Sequence, residues 1–291
     1  MDIGTNGLGA ATVTKLAQHN LGRIIFTGRD AKAAESVIGH CRAVAPDSPV
    51  CFVPCDLSNL KSVKIVAEQI ISENARLDIL MCNAGILGGA PGVSADGYEI
   101  TFATNYLGHS LLIRKLMPLL EKTAETHGSS GTDAARVIII ASPAFRVTPA
   151  GGIEFDTMRT TQAHLGIVGM WKRYGQSKLA NVLYARELAA RYPSVLALSV
   201  SPGAVSTGMI NNLGWVFRVL IYISSWFNVQ TPEEGALNQL WAASVRREDV
   251  YPGSFYEPVA YLSPLKTQHS EDPELQRRLW EWTEAELEQW L

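Results

Sequence analysis

The stretch Leu77-Asp78-Ile79-Leu80-Met81-Cys82 is a nearly continuous apolar run that ends at the small, polar sequence Asn83-Ala84-Gly85. Such runs are typical of strands buried on both faces of a parallel sheet, because strands with one solvated face alternate apolar and polar residues. Four further runs have the same character, at residues 23–27, 50–53, 137–140 and 195–200. The sequence therefore predicts that these runs are strands of one mostly parallel sheet.

Longer stretches with the apolar spacing of helices separate the runs, at residues 9–19, 31–43, 59–74, 98–122 and 172–191. Strands that alternate with helices predict right-handed crossovers and a doubly wound α/β sheet. No repeat, low-complexity tract or linker divides the chain, so residues 1–291 are predicted to form a single domain. In such sheets ligands bind beyond the carboxyl ends of the strands, and the residues that follow each run are the site candidates.

The composition excludes several function classes. A formal net charge of −3 offers no electrostatic attraction for nucleic acid. Four cysteines without a C-x-x-C pair indicate reduced thiols, which we expect of a cytoplasmic protein, and not a disulfide scaffold. No group of His, Cys or Asp residues has metal-ligand spacing, so no metal site is predicted.

Two apolar segments near the end of the chain have more than one interpretation. Residues 213–227 are too few for a membrane-spanning helix, which needs about 20 apolar residues, and are predicted to form a helix that covers the substrate. Shallow attachment of this segment to a membrane face is the alternative. Residues 271–291 carry an apolar stripe and are predicted to form an amphipathic helix packed on the body, with a dimer contact or a pocket lid as alternatives.

Two features near the beginning of the chain indicate a dinucleotide. The turn Gly4-Thr5-Asn6-Gly7-Leu8-Gly9 leads into a helix, and its glycines would let the backbone approach a pyrophosphate at the helix N-terminus, although a plain strand-to-helix turn has the same pattern. Arg29 follows the run at 23–27, where an acid would bind a ribose hydroxyl and an arginine can pair with a 2′-phosphate. The sequence therefore favours NADP(H) over NAD(H).

Tyr174 and Lys178 are four positions apart in the predicted helix 172–191, so their side chains share a face. A neighbouring ammonium favours the phenolate and is expected to lower the pKa of Tyr174 from its usual value of about 10. General acid and base catalysis near neutrality needs such a shift. This pair alone is common by chance, but Ser142 follows the run at 137–140 and Asn105 lies in the helical stretch 98–122.

In this order along the chain, the motifs resemble the short-chain dehydrogenase/reductase family over nearly the whole length. The resemblance implies a Rossmann-like sheet and a catalytic tetrad of Asn105, Ser142, Tyr174 and Lys178. It also implies a set of cofactor-binding residues: Gly4, Asn6, Gly7, Leu8, Gly9, Arg29, Asp56, Asn83, Ala84, Gly85, Tyr174, Lys178, Pro202, Gly203, Val205 and Thr207. Within that set, Asp56 would contact adenine and Thr207 the nicotinamide carboxamide.

The implied activity is an NADP(H)-dependent interconversion of a carbonyl and an alcohol on a small hydrophobic substrate. Tyr174 would exchange the proton with the substrate oxygen, Ser142 would bind that oxygen, Lys178 would hold the ribose, and Asn105 would anchor a water. The long interval between Ser142 and Tyr174, with Gly253–Pro258, resembles the branch of the retinol dehydrogenases and the WW-domain oxidoreductase. Members are commonly dimers or tetramers and some are monomers, so a homodimer is one expectation.

The beginning of the chain departs from the family pattern. In the family a buried strand ending in Thr-Gly precedes the glycine turn, and here Asp2 and Ile3 occupy those positions. The sequence therefore predicts that the central strand between the runs 23–27 and 77–82 is lacking. One interpretation is a misplaced start codon. The other is a genuinely short, catalytically impaired relative that acts as a binding or regulatory protein.

Overall fold

The structure is a computed structural model that describes residues 5–19, 21–205 and 229–291. The predictions on Gly4, Thr207 and the segment 213–227 lie outside these residues. No helix within the described ranges is both long enough and apolar enough to cross a membrane.

The predicted alternation of strands and helices is confirmed, and each predicted strand begins and ends within two residues of the observed one. The strands are β1 (Ile24–Gly28), β2 (Val50–Pro54), β3 (Ile79–Cys82), β4 (Arg136–Ile140), β5 (Leu196–Val200), β6 (Phe255–Glu257) and β7 (Tyr261–Leu262). The helices are α1 (Gly7–Ala17), α2 (Ala31–Val44), α3 (Leu60–Glu73), α4 (Ile100–Phe102), α5 (Gly108–His127), α6 (Gly169–Arg191), α7 (Pro232–Ser244) and α8 (Pro273–Leu287).

The described strands form two sheets. β1 pairs in parallel with β2, and the other sheet has the order β3-β4-β5-β6-β7. Pairing in the larger sheet is parallel from β3 to β6, and only β7 is antiparallel to its neighbour. In the described part of the chain no backbone pairing joins β1 to β3, the place where the sequence predicts a lacking strand.

The core lies on both faces of the larger sheet, as the apolar runs predict. Every residue of β4 is buried. Val137 and Ile139 pack toward α3, α5, α6 and α8, whereas Ile138 and Ile140 pack toward α1, α2 and α7. Helices on both faces complete the doubly wound arrangement.

The helix predicted over 98–122 is interrupted. Residues Ala103–Leu107, which include Asn105, form a π-helical turn between α4 and α5. Directly after this turn, a Cβ on Gly108 would stand 2.3 Å from the carbonyl oxygen of Leu57. The helix therefore passes the loop after β2 at a distance that only glycine allows, and apolar periodicity carries no signal for that approach.

Helix α8 packs across α5 and α6. Its Trp280 stacks on Tyr184 with ring centroids 5.4 Å apart, and its Thr283 shares a hydrogen bond of 2.6 Å with the Tyr106 hydroxyl. Since α6 carries Tyr174 and Lys178, the tail of the chain supports the helix on which these two residues lie.

Candidate active site

The carboxyl ends of β1, β3, β4 and β5 open into one cavity of about 1460 Å³. All the described site residues that the sequence singles out line this cavity, with the exception of Asn105. Its volume exceeds the ~300–1,000 Å³ that is typical of small-molecule pockets. The cavity is therefore large enough for an extended ligand together with a second molecule.

Ser142 lies two residues beyond the buried end of β4 and directly precedes the short 3₁₀ turn Pro143–Arg146. Its Oγ accepts a hydrogen bond of 3.2 Å from the backbone N–H of Ala144. The Ser142 side chain also hydrogen-bonds the Tyr174 side chain. The two residues that the sequence places 32 positions apart are therefore direct neighbours in the structure.

The environment of Tyr174 is more apolar than the sequence suggests. Only 8% of the residue is exposed. Burial raises the pKa of Tyr174 to about 12, and the hydrogen bond from Ser142 lowers it in part. The expected lowering by Lys178 is therefore not found in this structure. At neutral pH the phenol keeps its proton and can act as a donor.

Lys178 is buried beside the tyrosine ring. Its Nζ lies 5.6 Å from the ring centroid of Tyr174 and donates a hydrogen bond of 2.8 Å to the carbonyl oxygen of Ile140. Asn181 donates to the same oxygen at 3.0 Å. Burial lowers the pKa of Lys178 to about 7, because the charged ammonium is removed from water without a carboxylate partner. This explains why Lys178 does not lower the pKa of Tyr174 here.

Asn105 lies behind the cavity wall and is fully buried. Its Oδ1 accepts a hydrogen bond of 2.7 Å from the Ile86 N–H, and its Nδ2 donates to the Ile86 carbonyl and to Ser177 Oγ, both at 3.0 Å. The side chain thus joins the loop after β3 to the first half of α6. Its amide group makes three hydrogen bonds, and the binding of a water by Asn105 stays a prediction.

Gly85 is the point at which the two halves of the site approach each other. A Cβ on Gly85 would stand 3.1 Å from Asn105 Oδ1 and 3.6 Å from Lys178 Nζ. A larger residue would force Asn105 Oδ1 to shift by a few tenths of an ångström, whereas its contact with Lys178 Nζ would be an ordinary one. The close approach to Asn105 therefore favours the glycine in Asn83-Ala84-Gly85.

The opposite half of the cavity fits a dinucleotide. Gly7, Leu8 and Gly9 line it, and α1 begins at Gly7, so the unpaired N–H groups of its first turn are at the cavity wall. A Cβ on Gly28 would stand 2.8 Å from Thr5 Cγ2, so the turn passes the end of β1 too closely for a side chain. The backbone groups and glycines that a pyrophosphate needs are present.

Two charged residues lie at the same end of the cavity. Arg29 is exposed at the cavity wall, and no carboxylate pairs with it among the described residues. Asp56 accepts hydrogen bonds from the N–H and the hydroxyl of Ser58, at 3.0 and 2.7 Å. Arg29 is thus available for a negatively charged group of a ligand, whereas Asp56 is held in place by its own loop.

Sequence reasoning missed a buried series of hydrogen bonds next to the half of the cavity that contains the glycine turn. Gln239 on α7 donates from Nε2 to Asn83 Oδ1 at 2.6 Å, and its Oε1 accepts a hydrogen bond from Thr12 on α1. Both Gln239 and Thr12 are fully buried. No motif predicts this contact, since Gln239 and Asn83 are 156 positions apart in the chain.

Outside the glycine turn, the cavity lining includes six apolar residues: Ile86, Leu87, Pro143, Ala144, Trp171 and Leu265. The polar residues Thr104 and Glu257 belong to the same lining. Arg146 adds one exposed cation to this lining. The pocket therefore suits a ligand with a hydrophobic body.

Known proteins with similar sequences or folds agree with these observations. The family model of the short chain dehydrogenases matches residues 4–155. The short-chain dehydrogenase/reductase drtF of Aspergillus calidoustus is 30% identical over 98% of this chain and 91% of its own. The polyprenol dehydrogenase of Mus musculus is 31% identical over 95% of this chain and 79% of its own.

Solved structures of the same kind share the fold. A short chain dehydrogenase from Shigella flexneri, crystallised with NADP, has a TM-score of 0.63. It is 20% identical, and the match covers 88% of this chain and 94% of that protein. At this identity the likeness concerns the architecture of the sheet and its helices.

Proposed function

Because the chain belongs to the short-chain dehydrogenase/reductase family of oxidoreductases, we propose that it uses NADP(H) to interconvert a carbonyl and an alcohol on a small hydrophobic substrate. One observation carries the proposal. Ser142, Tyr174 and Lys178 meet at the carboxyl end of β4, on the wall of the cavity that also contains the glycine turn. The Tyr174 hydroxyl as a proton donor, the Ser142 hydroxyl as a donor to the substrate oxygen and the Lys178 amine therefore lie at the wall of one cavity.

Tyr174 is the group that would exchange the proton with the substrate oxygen. Its pKa of about 12 keeps the phenol protonated at neutral pH, which suits donation to a carbonyl oxygen during reduction. Ser142, which already hydrogen-bonds Tyr174, would donate to the same oxygen and stabilise the charge that develops there. Bound NADPH would supply the hydride.

Lys178 and Asn105 would support the proton exchange between Tyr174 and the substrate oxygen. With a pKa of about 7, Lys178 can gain or lose a proton near neutrality, and it can return a proton to the Tyr174 oxygen. Asn105 would hold Ile86 and Ser177 at the distances observed, and so keep the loop after β3 against α6. The binding of a water by Asn105 stays a prediction.

Two further features of the molecule bear on the cofactor and the substrate. Arg29 supports a preference for NADP(H), because a free guanidinium can pair with a 2′-phosphate in two hydrogen bonds. The apolar lining around Trp171 and Leu265 supports a hydrophobic substrate, as do relatives named polyprenol dehydrogenase and retinol dehydrogenase 14. A cytoplasmic location, peripheral contact with a membrane and a homodimer stay predictions.

The proposal is tested with a panel of aldehydes and ketones of increasing chain length, each with NADPH and with NADH, followed by the absorbance of the reduced cofactor. Tyr174→Phe is expected to lower turnover by about 10²–10⁴-fold and to leave the NADPH dissociation constant, measured by fluorescence, within about twofold, since a hydroxyl is removed and the ring remains. Tyr184→Phe is the matched control, because that buried hydroxyl on the same helix has no hydrogen-bond partner in the part of the chain that the structure describes.

Near-wild-type turnover of Tyr174→Phe would overturn the roles assigned above. NADPH binding by the wild-type chain without turnover of any carbonyl would instead favour the binding or regulatory protein.

A further inference from the structure

A buried carboxylate precedes the turn that carries Asn105. Glu99 is fully buried, and its Oε2 accepts a hydrogen bond of 2.7 Å from the N–H of Phe102, so that it caps α4. The other oxygen, Oε1, has no hydrogen-bond partner of ordinary geometry among the described residues, and burial raises the pKa of this carboxyl. A buried carboxylate oxygen in this state is costly unless a cation compensates it.

The compensating cation is the residue next to Tyr174. Arg173 is 5% exposed, and its Nε lies 3.6 Å from Glu99 Oε1. Its Nη1 donates to the carbonyl oxygen of Gln162 at 3.4 Å. The guanidinium is therefore directed away from the cavity and into the contact between α4 and α6.

This ion pair connects the two segments on which the site depends. Glu99 lies six residues before Asn105 and caps α4, which continues into the π-helical turn. Arg173 directly precedes Tyr174 and lies in the first half of α6. Asn105 and Ser177 already join the same two segments. The ion pair is a second connection between them, and neither of its residues lines the cavity.

Stability alone does not account for such a pair. Replacement of buried ion pairs by apolar residues is often neutral or stabilising, because the desolvation of both charges opposes their attraction. In some proteins a buried pair instead fixes one relative placement of the elements that carry the charges. Here those elements bring Tyr174 to Ser142.

We propose that Glu99 and Arg173 are positioning residues that hold the Asn105 turn and the first half of α6 in the one arrangement that presents the Tyr174 hydroxyl to Ser142. This inference rests on the proposed oxidoreductase function. Neither residue lines the cavity, so both act through their neighbours.

The first test compares Glu99→Gln, Arg173→Met and Arg173→Lys with the wild-type chain. We expect Glu99→Gln and Arg173→Met to lower kcat about tenfold or more, as a small misplacement of reacting groups does, with the KM for NADPH changed less than about twofold. Arg173→Lys keeps the charge and is expected to restore part of kcat. Glu284→Gln is the control, since it removes a half-buried ion pair with Arg114 between α5 and α8.

The second test does not depend on turnover. The chain is labelled with [¹³Cζ]tyrosine, the Tyr174 signal is assigned with Tyr174→Phe, and its chemical shift is followed by NMR at neutral pH. Glu99→Gln and Arg173→Met should shift or split the Tyr174 signal, because the hydrogen bond from Ser142 is weakened. Glu284→Gln should leave the signal unchanged.

Two outcomes would overturn the inference: a kcat and a Tyr174 signal equal to wild type in folded Glu99→Gln and Arg173→Met, or equal effects in Glu284→Gln. A wild-type chain that reduces no carbonyl would contradict the proposed function, and the NMR comparison would still decide whether the ion pair positions Tyr174.

Discussion

Gly175 lies so close to Val147 that a Cβ on the glycine would stand 1.8 Å from the carbonyl oxygen of Val147. The carbonyl oxygen of Ala144 would be 2.7 Å from the same atom. Helix α6 therefore touches the 3₁₀ turn after Ser142 along its bare backbone. This approach is what allows Tyr174, one residue earlier, to reach Ser142.

Gly175→Ala is expected to force α6 away from that turn. Overpacking of this kind typically costs about 1–3 kcal/mol of the free energy of unfolding. The separation of Tyr174 from Ser142 should lower kcat, whereas the KM for NADPH should change much less. Urea unfolding and steady-state kinetics measure the two effects. Gly39→Ala on α2 is the control, because a Cβ there meets nothing within 4 Å, and it should stabilise the chain by about 0.5–1 kcal/mol. Equal stability of the two variants would contradict the argument.

The buried ammonium of Lys178 predicts an unusual dependence of stability on pH. The pKa of a lysine in the unfolded chain is about 10.4, and in the folded chain that of Lys178 is about 7. Between these values the unfolded state binds a proton that the folded state does not bind. The free energy of unfolding should therefore rise with pH across this range.

Lys178→Met removes this contribution and serves as the reference. Between about pH 7 and about pH 9, the wild-type chain should gain stability relative to the variant by on the order of 1 kcal/mol per pH unit. Denaturant unfolding at several pH values measures the difference in slope. Parallel curves for the two proteins would mean that Lys178 stays protonated in the folded state.

Sequence reasoning predicts the strands, and it predicts which residues line the cavity, because both depend on local patterns. The buried faces of β3 and β4 appear as apolar runs, and the residues after them line the cavity. The contacts that hold the site together depend on distance in space and have no local pattern. Gln239 reaches Asn83 from α7, and Arg173 reaches Glu99 from α6. The raised pKa of Tyr174 was missed for the same reason, since burial depends on the whole fold.

Arg29 predicts a measurable cofactor preference. A charge-assisted hydrogen bond contributes about 1.5–3 kcal/mol, so Arg29→Asp should weaken NADPH binding about 10- to 100-fold and leave NADH binding nearly unchanged or improved. Fluorescence titration with both nucleotides measures the ratio. Arg42→Asp, an exposed site on α2, makes the same change in net charge away from the cavity. A similar loss in both variants would point to overall charge and not to a contact with Arg29.

Gln239 is predicted to connect α7 to the cofactor half of the cavity. The helix lies close to Val205 and to the first turn of α1, since a Cβ on Gly235 would stand 2.4 Å from Val205 Cγ2 and 3.2 Å from Leu8 Cδ1. Gln239→Leu keeps a side chain of similar size but leaves Asn83 Oδ1 without its donor, whereas the Thr12 hydroxyl still donates to the carbonyl oxygen of Leu8. Each buried group left unsatisfied costs about 1–3 kcal/mol.

We expect Gln239→Leu to lower the free energy of unfolding by an amount in that range and to weaken NADPH binding several-fold, because Asn83 at the cavity wall is no longer held. Urea unfolding and NADPH titration measure the two quantities on the same preparation. Gln276→Leu on α8 is the matched control, as it removes a hydrogen bond of 2.9 Å to Glu187 away from the cavity. If NADPH binding were unchanged in Gln239→Leu while stability fell, the hydrogen bonds of Gln239 would support the fold alone. The prediction that Gln239 connects α7 to cofactor binding would then be wrong.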